Sequence, residues 1–176
     1  MYKGVIGTWS YNVSTGITMP VVGTATMPKL DLNSVNVSSG AGDLWLWFSE
    51  IGFVQLAPGV TGYELDWGGT TTGTVDAKAF FDPGNILFGT ATTIATLGPY
   101  SGGSFSGTGN YTGNPGSYPY SITIMTHINH QGVGNTSFNE DLHAANPVPE
   151  PATMLLFGTG LVGIAGLAKR RLAKKA

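Results

Sequence analysis

Apolar and polar residues alternate with a period of two along most of the first 145 positions, the spacing of strands that cover a core on one face. Val5, Gly7, Trp9, Tyr11 and Val13 alternate with Ile6, Thr8, Ser10 and Asn12, which predicts a first strand closed by a turn at Ser14-Thr15-Gly16. Ile17 to Thr26 predicts a second strand, weakened near its ends by Pro20 and Pro28. Asp31 to Gly42 is polar and predicts a loop or an irregular edge.

The pattern then sharpens. Leu44, Leu46 and Phe48 share one face of a strand over 43–53, and Asp43, Trp45 and Trp47 share the other. Pro58-Gly59 predicts a turn. Tyr63, Leu65 and Trp67 oppose Glu64 and Asp66, with a break expected at Gly68-Gly69. Val75, Ala77, Ala79 and Phe81 form an inward set before the turn signal Asp82-Pro83-Gly84. Ile86 to Leu97 reads as a strand, and Gly98 to Gly116 as a glycine-rich loop or weak strands. Tyr118 to His130 is the clearest strand, and Thr136 to Leu142 a short last one. About eight strands with Gly/Pro turns and no amphipathic helix predict an all-β, jelly-roll-like antiparallel β-sandwich over 1–145. No regular repeat suggests a solenoid or propeller.

At Asn146 the alternation stops. Residues 146–151 place prolines at 147, 149 and 151, which stiffen and extend the chain. Residues 152–168 are free of charge and of proline. As a helix, at ~1.5 Å per residue, they span about 25 Å, near the short limit for crossing a bilayer. A single transmembrane helix is therefore expected, with Lys169 and Arg170 snorkelling at its end. Lys169, Arg170, Arg171, Lys174 and Lys175 are five of the chain's eight bases. They predict a cytoplasmic tail over 169–176 and an outward-facing domain.

Val148-Pro149-Glu150-Pro151, the short apolar run and the basic cluster together resemble the PEP-CTERM sorting signal of Gram-negative surface proteins. The resemblance covers about a sixth of the chain. It implies recognition at Val148, Pro149, Glu150 and Pro151 by an exosortase, a membrane-embedded processing enzyme. Transient anchoring in the inner membrane and transfer of the domain to the cell surface or the extracellular matrix would follow. It also implies a link to exopolysaccharide and biofilm.

Composition narrows the reading further. Glycine is abundant, at 27 of 176 residues, and only 10% are charged, which suits an extracellular β domain. Ahead of the sorting motif three bases face nine acids, a net charge of −6 that disfavours nucleic acid and anionic lipid. Such a surface is compatible with Ca²⁺. The chain has no cysteine, which excludes disulfides, thiolate metal sites and a cysteine nucleophile. Met1-Tyr2-Lys3-Gly4 does not lead into an apolar signal region, so a signal peptide upstream of this start is expected.

Candidate chemistry is sparse. His127 and His130 have H-x-x-H spacing, but on a strand they point to opposite faces. A zinc site would need a bend and help from Glu140, Asp141 or His143, so solvated or structural histidines are the favoured reading. Glu64 and Asp66 share a face at a spacing a glycosidase could use, though any strand with outward acids shows the same pattern. Trp45, Trp47, Tyr63 and Trp67 offer flat rings for sugar stacking, against the commoner fate of core packing. N-x-[ST] sequons at Asn12, Asn36, Asn110 and Asn135 indicate surface positions only. The sequence thus predicts a non-enzymatic, cofactor-free surface protein of structural or adhesive type. The alternative is a glycan-binding module using Trp45, Trp47 or Trp67, with a glycoside-active enzyme less favoured.

Overall fold

The structure, a computed structural model, describes residues 2–145. The sorting strip 146–151, the expected transmembrane helix 152–168 and the basic tail from Lys169 through Lys175 lie outside the described residues. No helix among those described is long and apolar enough to cross a membrane.

Eight antiparallel strands make up the domain: β1 (Tyr2–Ile6), β2 (Trp9–Ile17), β3 (Lys29–Ser39), β4 (Gly42–Phe53), β5 (Gly62–Asp82), β6 (Thr92–Thr112), β7 (Tyr120–His130) and β8 (Val133–Ala145). They are hydrogen-bonded in the order β1-β2-β3-β8-β5-β7-β4, with β6 on the other edge of β5. The sheet curls because β5 is shared. Its first half, Gly62 to Thr71, pairs with β8, and its second half, Thr74 to Asp82, pairs with β7. Both halves pair with β6. A straight strand of this length would separate Tyr63 and Phe81 by ~60 Å. Their ring centroids are 6.1 Å apart, so β5 doubles over and its halves face each other.

Two layers result. One holds β1, β2, β3, β8, the first half of β5 and the second half of β6. The other holds β4, β7 and the remaining halves of β5 and β6. Leu30, Leu65, Leu142 and Phe138 from the first layer meet Ile122, Ile124, Ile128 and Val75 from the second in one core. Each such burial stabilises the fold by ~1.5–3 kcal/mol. The interior is not uniformly apolar. Thr126 donates to Glu140 across the layers at 2.5 Å, and Tyr63 donates to Tyr120 at 2.8 Å. His130 reaches Ser38 and Thr136 at 2.7 and 2.8 Å.

Several strand expectations are corrected. The turn expected at Ser14-Thr15-Gly16 lies inside β2, and the chain reverses instead at Gly7-Thr8, where Gly7 adopts φ +57°. Ile17 to Thr26 contributes no named strand beyond Ile17. Turns occupy the rest, with one bridge between Thr24 and Met27, because Pro20 lacks a donor and Gly23 is left-handed. The segment from Asp31, expected to be a loop or an irregular edge, belongs to β3, a strand paired on both sides. Its inward row runs Leu30, Leu32, Ser34, Asn36, Ser38, so polarity hides the alternation, and Asn36 is buried rather than on the surface. Gly68-Gly69 does not break β5. Glycine is needed at position 69 because a Cβ there would lie 2.0 Å from the Ser137 carbonyl oxygen. The register of β5 against β6 shifts further on, first at Thr71/Thr74 and again at Val75/Ala77 and Ala79/Phe80. β6 begins only at Thr92 and continues to Thr112 through the stretch read as a loop or weak strands, since main-chain pairing with β5 needs no apolar side chains. β8 likewise exceeds its expected bounds at both ends.

Candidate functional site: two outward faces

The outward face of the second layer is aromatic. β4 presents Asp43, Trp45, Trp47 and Ser49, while β7 presents Asn129, His127, Met125 and Thr123 directly opposite. Trp45 is 52% exposed and Trp47 is 44% exposed, on one strand face about 7 Å apart. Trp45 stacks on His127 with ring centroids 4.4 Å apart and planes 13° from parallel. Both nitrogens of His127 are occupied: Nδ1 lies 2.9 Å from Asp76 and Nε2 lies 2.9 Å from Asp43. Partial burial opposes charging of His127, but the two carboxylates outweigh it and raise its pKa. Asn129 and then His127 hold Asp43 below its usual value. The His127 ring, held between two carboxylates, therefore braces the Trp45 ring from beneath.

Phe88 extends this face. It lies in the tight connection between β5 and β6, and with Trp47 it lines an open hollow of about 420 Å³. Its backbone is left-handed at φ 60°, a strained state for a bulky residue. The strain is held by a hydrogen bond from the Phe88 amide to Ser49 Oγ at 3.0 Å. Ile86 and Leu87 beside it are also exposed. Sequence reasoning missed Phe88, because Ile86-Leu87-Phe88 after a turn signal looks like the start of a strand.

The structure does not bring the four sequence-predicted aromatics together. Trp67 is 2% exposed and packs on Phe105 and Phe138 in the core, and Tyr63 is fully buried. Neither reaches the surface that carries Trp45 and Trp47.

The outward face of the first layer is charged. Glu64 and Asp66 on β5 stand opposite His143 and Asp141 on β8. His143 Nδ1 contacts Asp141 at 3.1 Å, while its Nε2 lies 3.8 Å from Glu64. Lys29 forms an ion pair with Asp141. Thr108 donates to Asp66 at 2.6 Å, and Asp66 borders a shallow pocket of about 330 Å³ with Ser106 and Asn139. Asp141 raises the His143 pKa against the opposing effect of burial. Burial would raise the Asp141 pKa, but hydrogen bonds from His143 and Lys29 lower it on balance. His127 and His130 point to opposite faces, as their spacing requires. Glu140 is buried inward, away from Asp141 and His143. Burial raises its pKa to about 8, partly offset by the Thr126 hydrogen bond.

Residues 147–171 match the family model of the PEP-CTERM protein-sorting motif. This sorting signal marks an exported protein. Among curated proteins no match is found. Similar solved structures include TmCBM61 in complex with β-1,4-galactotriose, 7% identical, with 77% of this chain and 90% of that one covered at a TM-score of 0.41. Another is TmCBM27, a carbohydrate-binding module described for specific mannan recognition, 12% identical, with 79% and 90% covered at a TM-score of 0.32. At such scores and identities nothing about ligands follows from either.

Proposed function

We propose that this chain is a non-enzymatic surface protein whose β domain, a jelly-roll sandwich, binds polysaccharide through the Trp45–Trp47 face. The single observation that carries the reading is the pair of half-exposed indoles on one rigid strand, one of them braced by His127. A large ring is normally buried for its hydrophobic gain, so two adjacent exposed ones suit a flat apolar partner with polar edges. Sugar rings have that character, and Asp43, Asn129 and Lys78 around the indoles supply hydrogen-bonding groups for hydroxyls. The β strands fix the spacing without loop rearrangement, which limits the entropy lost on binding.

The tail supplies the route. An exosortase-type enzyme would recognise Pro149-Glu150-Pro151 while the apolar run holds the chain in the inner membrane. Processing then releases the domain to the cell surface or matrix, where exopolysaccharide and biofilm are the available polymers.

Binding of the full chain to immobilised polysaccharides tests the site. Trp45→Ala combined with Trp47→Ala should lower affinity ~30-fold or more, about 2 kcal/mol, with the fold unchanged. No retention of the wild type on any of a panel of neutral and acidic polysaccharides would reject the site. Fractionation of the native host tests the route separately: alanine at Pro149, Glu150 and Pro151 should leave the protein unprocessed. Unchanged processing and location would reject it.

A further inference from the structure

We infer that the opposite, charged face binds a divalent transition-metal cation of the zinc type on Glu64, Asp66 and His143. One oxygen from each carboxylate and one His143 nitrogen lie within 4.8 Å of one another. Antiparallel pairing places them there, since Glu64 is the register partner of His143 and Asp66 is that of Asp141.

The state of His143 distinguishes this cluster from an ordinary solvated acidic face. Its Nδ1 is engaged by Asp141, which is itself held by Lys29. This fixes the ring with Nε2 turned toward Glu64, yet 3.8 Å away, too far for a hydrogen bond. Two donors each ~2.1 Å from one tetrahedral ion stand about 3.4 Å apart, so the gap is close to the separation an ion would impose. A histidine whose far nitrogen is held by a carboxylate is the usual support for a metal ligand. His127 makes the contrast plain: carboxylates occupy both of its nitrogens, leaving none for an ion.

One imidazole with two carboxylates selects a borderline cation over Ca²⁺, which takes oxygen ligands alone. Three protein ligands leave a coordination position for water, facing solvent beside the Asp66 pocket. The ion would clamp β5 to β8, adding a cross-strand tie to the hydrogen-bond ladder. This inference concerns a different surface from the aromatic face and stands or falls independently of saccharide binding.

Calorimetric titration of the chelator-treated full chain with Zn²⁺ tests it, alongside imidazole NMR of the three histidines. Binding of one ion at micromolar concentration is expected, with the His143 signals moving and the His127 and His130 signals static. His143→Ala should abolish binding, and Asp141→Asn should weaken it 10- to 100-fold. Trp45→Ala with Trp47→Ala should leave it intact. Absence of binding below 1 mM Zn²⁺ overturns the site, as does affinity unchanged by His143→Ala, or uptake of Ca²⁺ in preference to Zn²⁺. Since the NMR readout uses the unmutated chain, a variant that fails to fold does not blunt the test.

Discussion

The two outward faces share a strand, β5, and a construction rule, yet they use their histidines in opposite ways. On the aromatic face His127 is held on both nitrogens and serves as a floor for Trp45. On the charged face His143 is held on one nitrogen and turns the other toward Glu64. The difference comes from cross-strand register alone. Asp76 and Asp43 flank His127 on neighbouring strands, so both of its nitrogens are engaged. Beside His143 the neighbours are Asp141 on its own strand, Glu64 opposite and, diagonally, Asp66, and only Asp141 comes within hydrogen-bond distance of the ring. The same side chain thus becomes a brace in one setting and a potential ligand in the other.

The largest expected effect removes the connection between the faces. A Cβ at Gly73 would lie 2.1 Å from the Asn129 carbonyl oxygen, where β5 passes between layers. Gly73→Ala should cost about 3 kcal/mol and lower the urea midpoint for both faces together. Loss of one face with retention of the other would break the shared-strand account.

An effect smaller at each pH unit should appear on titration. Glu140 has a folded pKa of about 8 against an ordinary 4.5, so between these values the native state holds a proton that the unfolded chain has released. Stability should fall with rising pH in that window, by up to ~1.4 kcal/mol per unit. Urea unfolding of Glu140→Gln should flatten the slope. Raised His127 adds loss in the same direction above its unfolded pKa, as the imidazole deprotonates. An unaltered slope in Glu140→Gln would remove Glu140 from the account.

The smallest effect concerns the brace itself. His127→Ala leaves Trp45 exposed but unsupported, and polysaccharide affinity should fall ~3- to 10-fold, well short of the double tryptophan variant. A loss equal to that of the double variant would make His127 a contact rather than a brace.

Much of this architecture was legible in the chain. The alternation over 43–53 and 118–130 placed Trp45 and Trp47 on the face opposite Leu44, and that is where they stand. The all-β class was readable because the inward rows there are largely apolar, Thr126 and His130 of β7 apart. β3 was not, since Ser34, Asn36 and Ser38 fill an inward row that hydrogen bonds, rather than apolar burial, help satisfy. The second part of β6 was left open between a loop and weak strands for a related reason: an edge strand rich in Gly and Ser is specified by its partner. The fate of Trp67 shows the limit for the site. Alternation groups it with Tyr63 and Leu65, but only the curl of β5 makes that row interior. Pairing of His127 with Asp43 and Asp76, and of His143 with Glu64, joins residues 51 to 84 positions apart, which no local pattern encodes.

The four indole N–H signals offer the most direct test of the saccharide face, because Trp45 and Trp47 are exposed while Trp9 and Trp67 are buried. Addition of oligosaccharides from a bound polysaccharide to the ¹⁵N-labelled chain should shift the Trp45 and Trp47 resonances and leave those of Trp9 and Trp67 in place. Shifts confined to the buried pair, or none from any bound saccharide, would contradict the account.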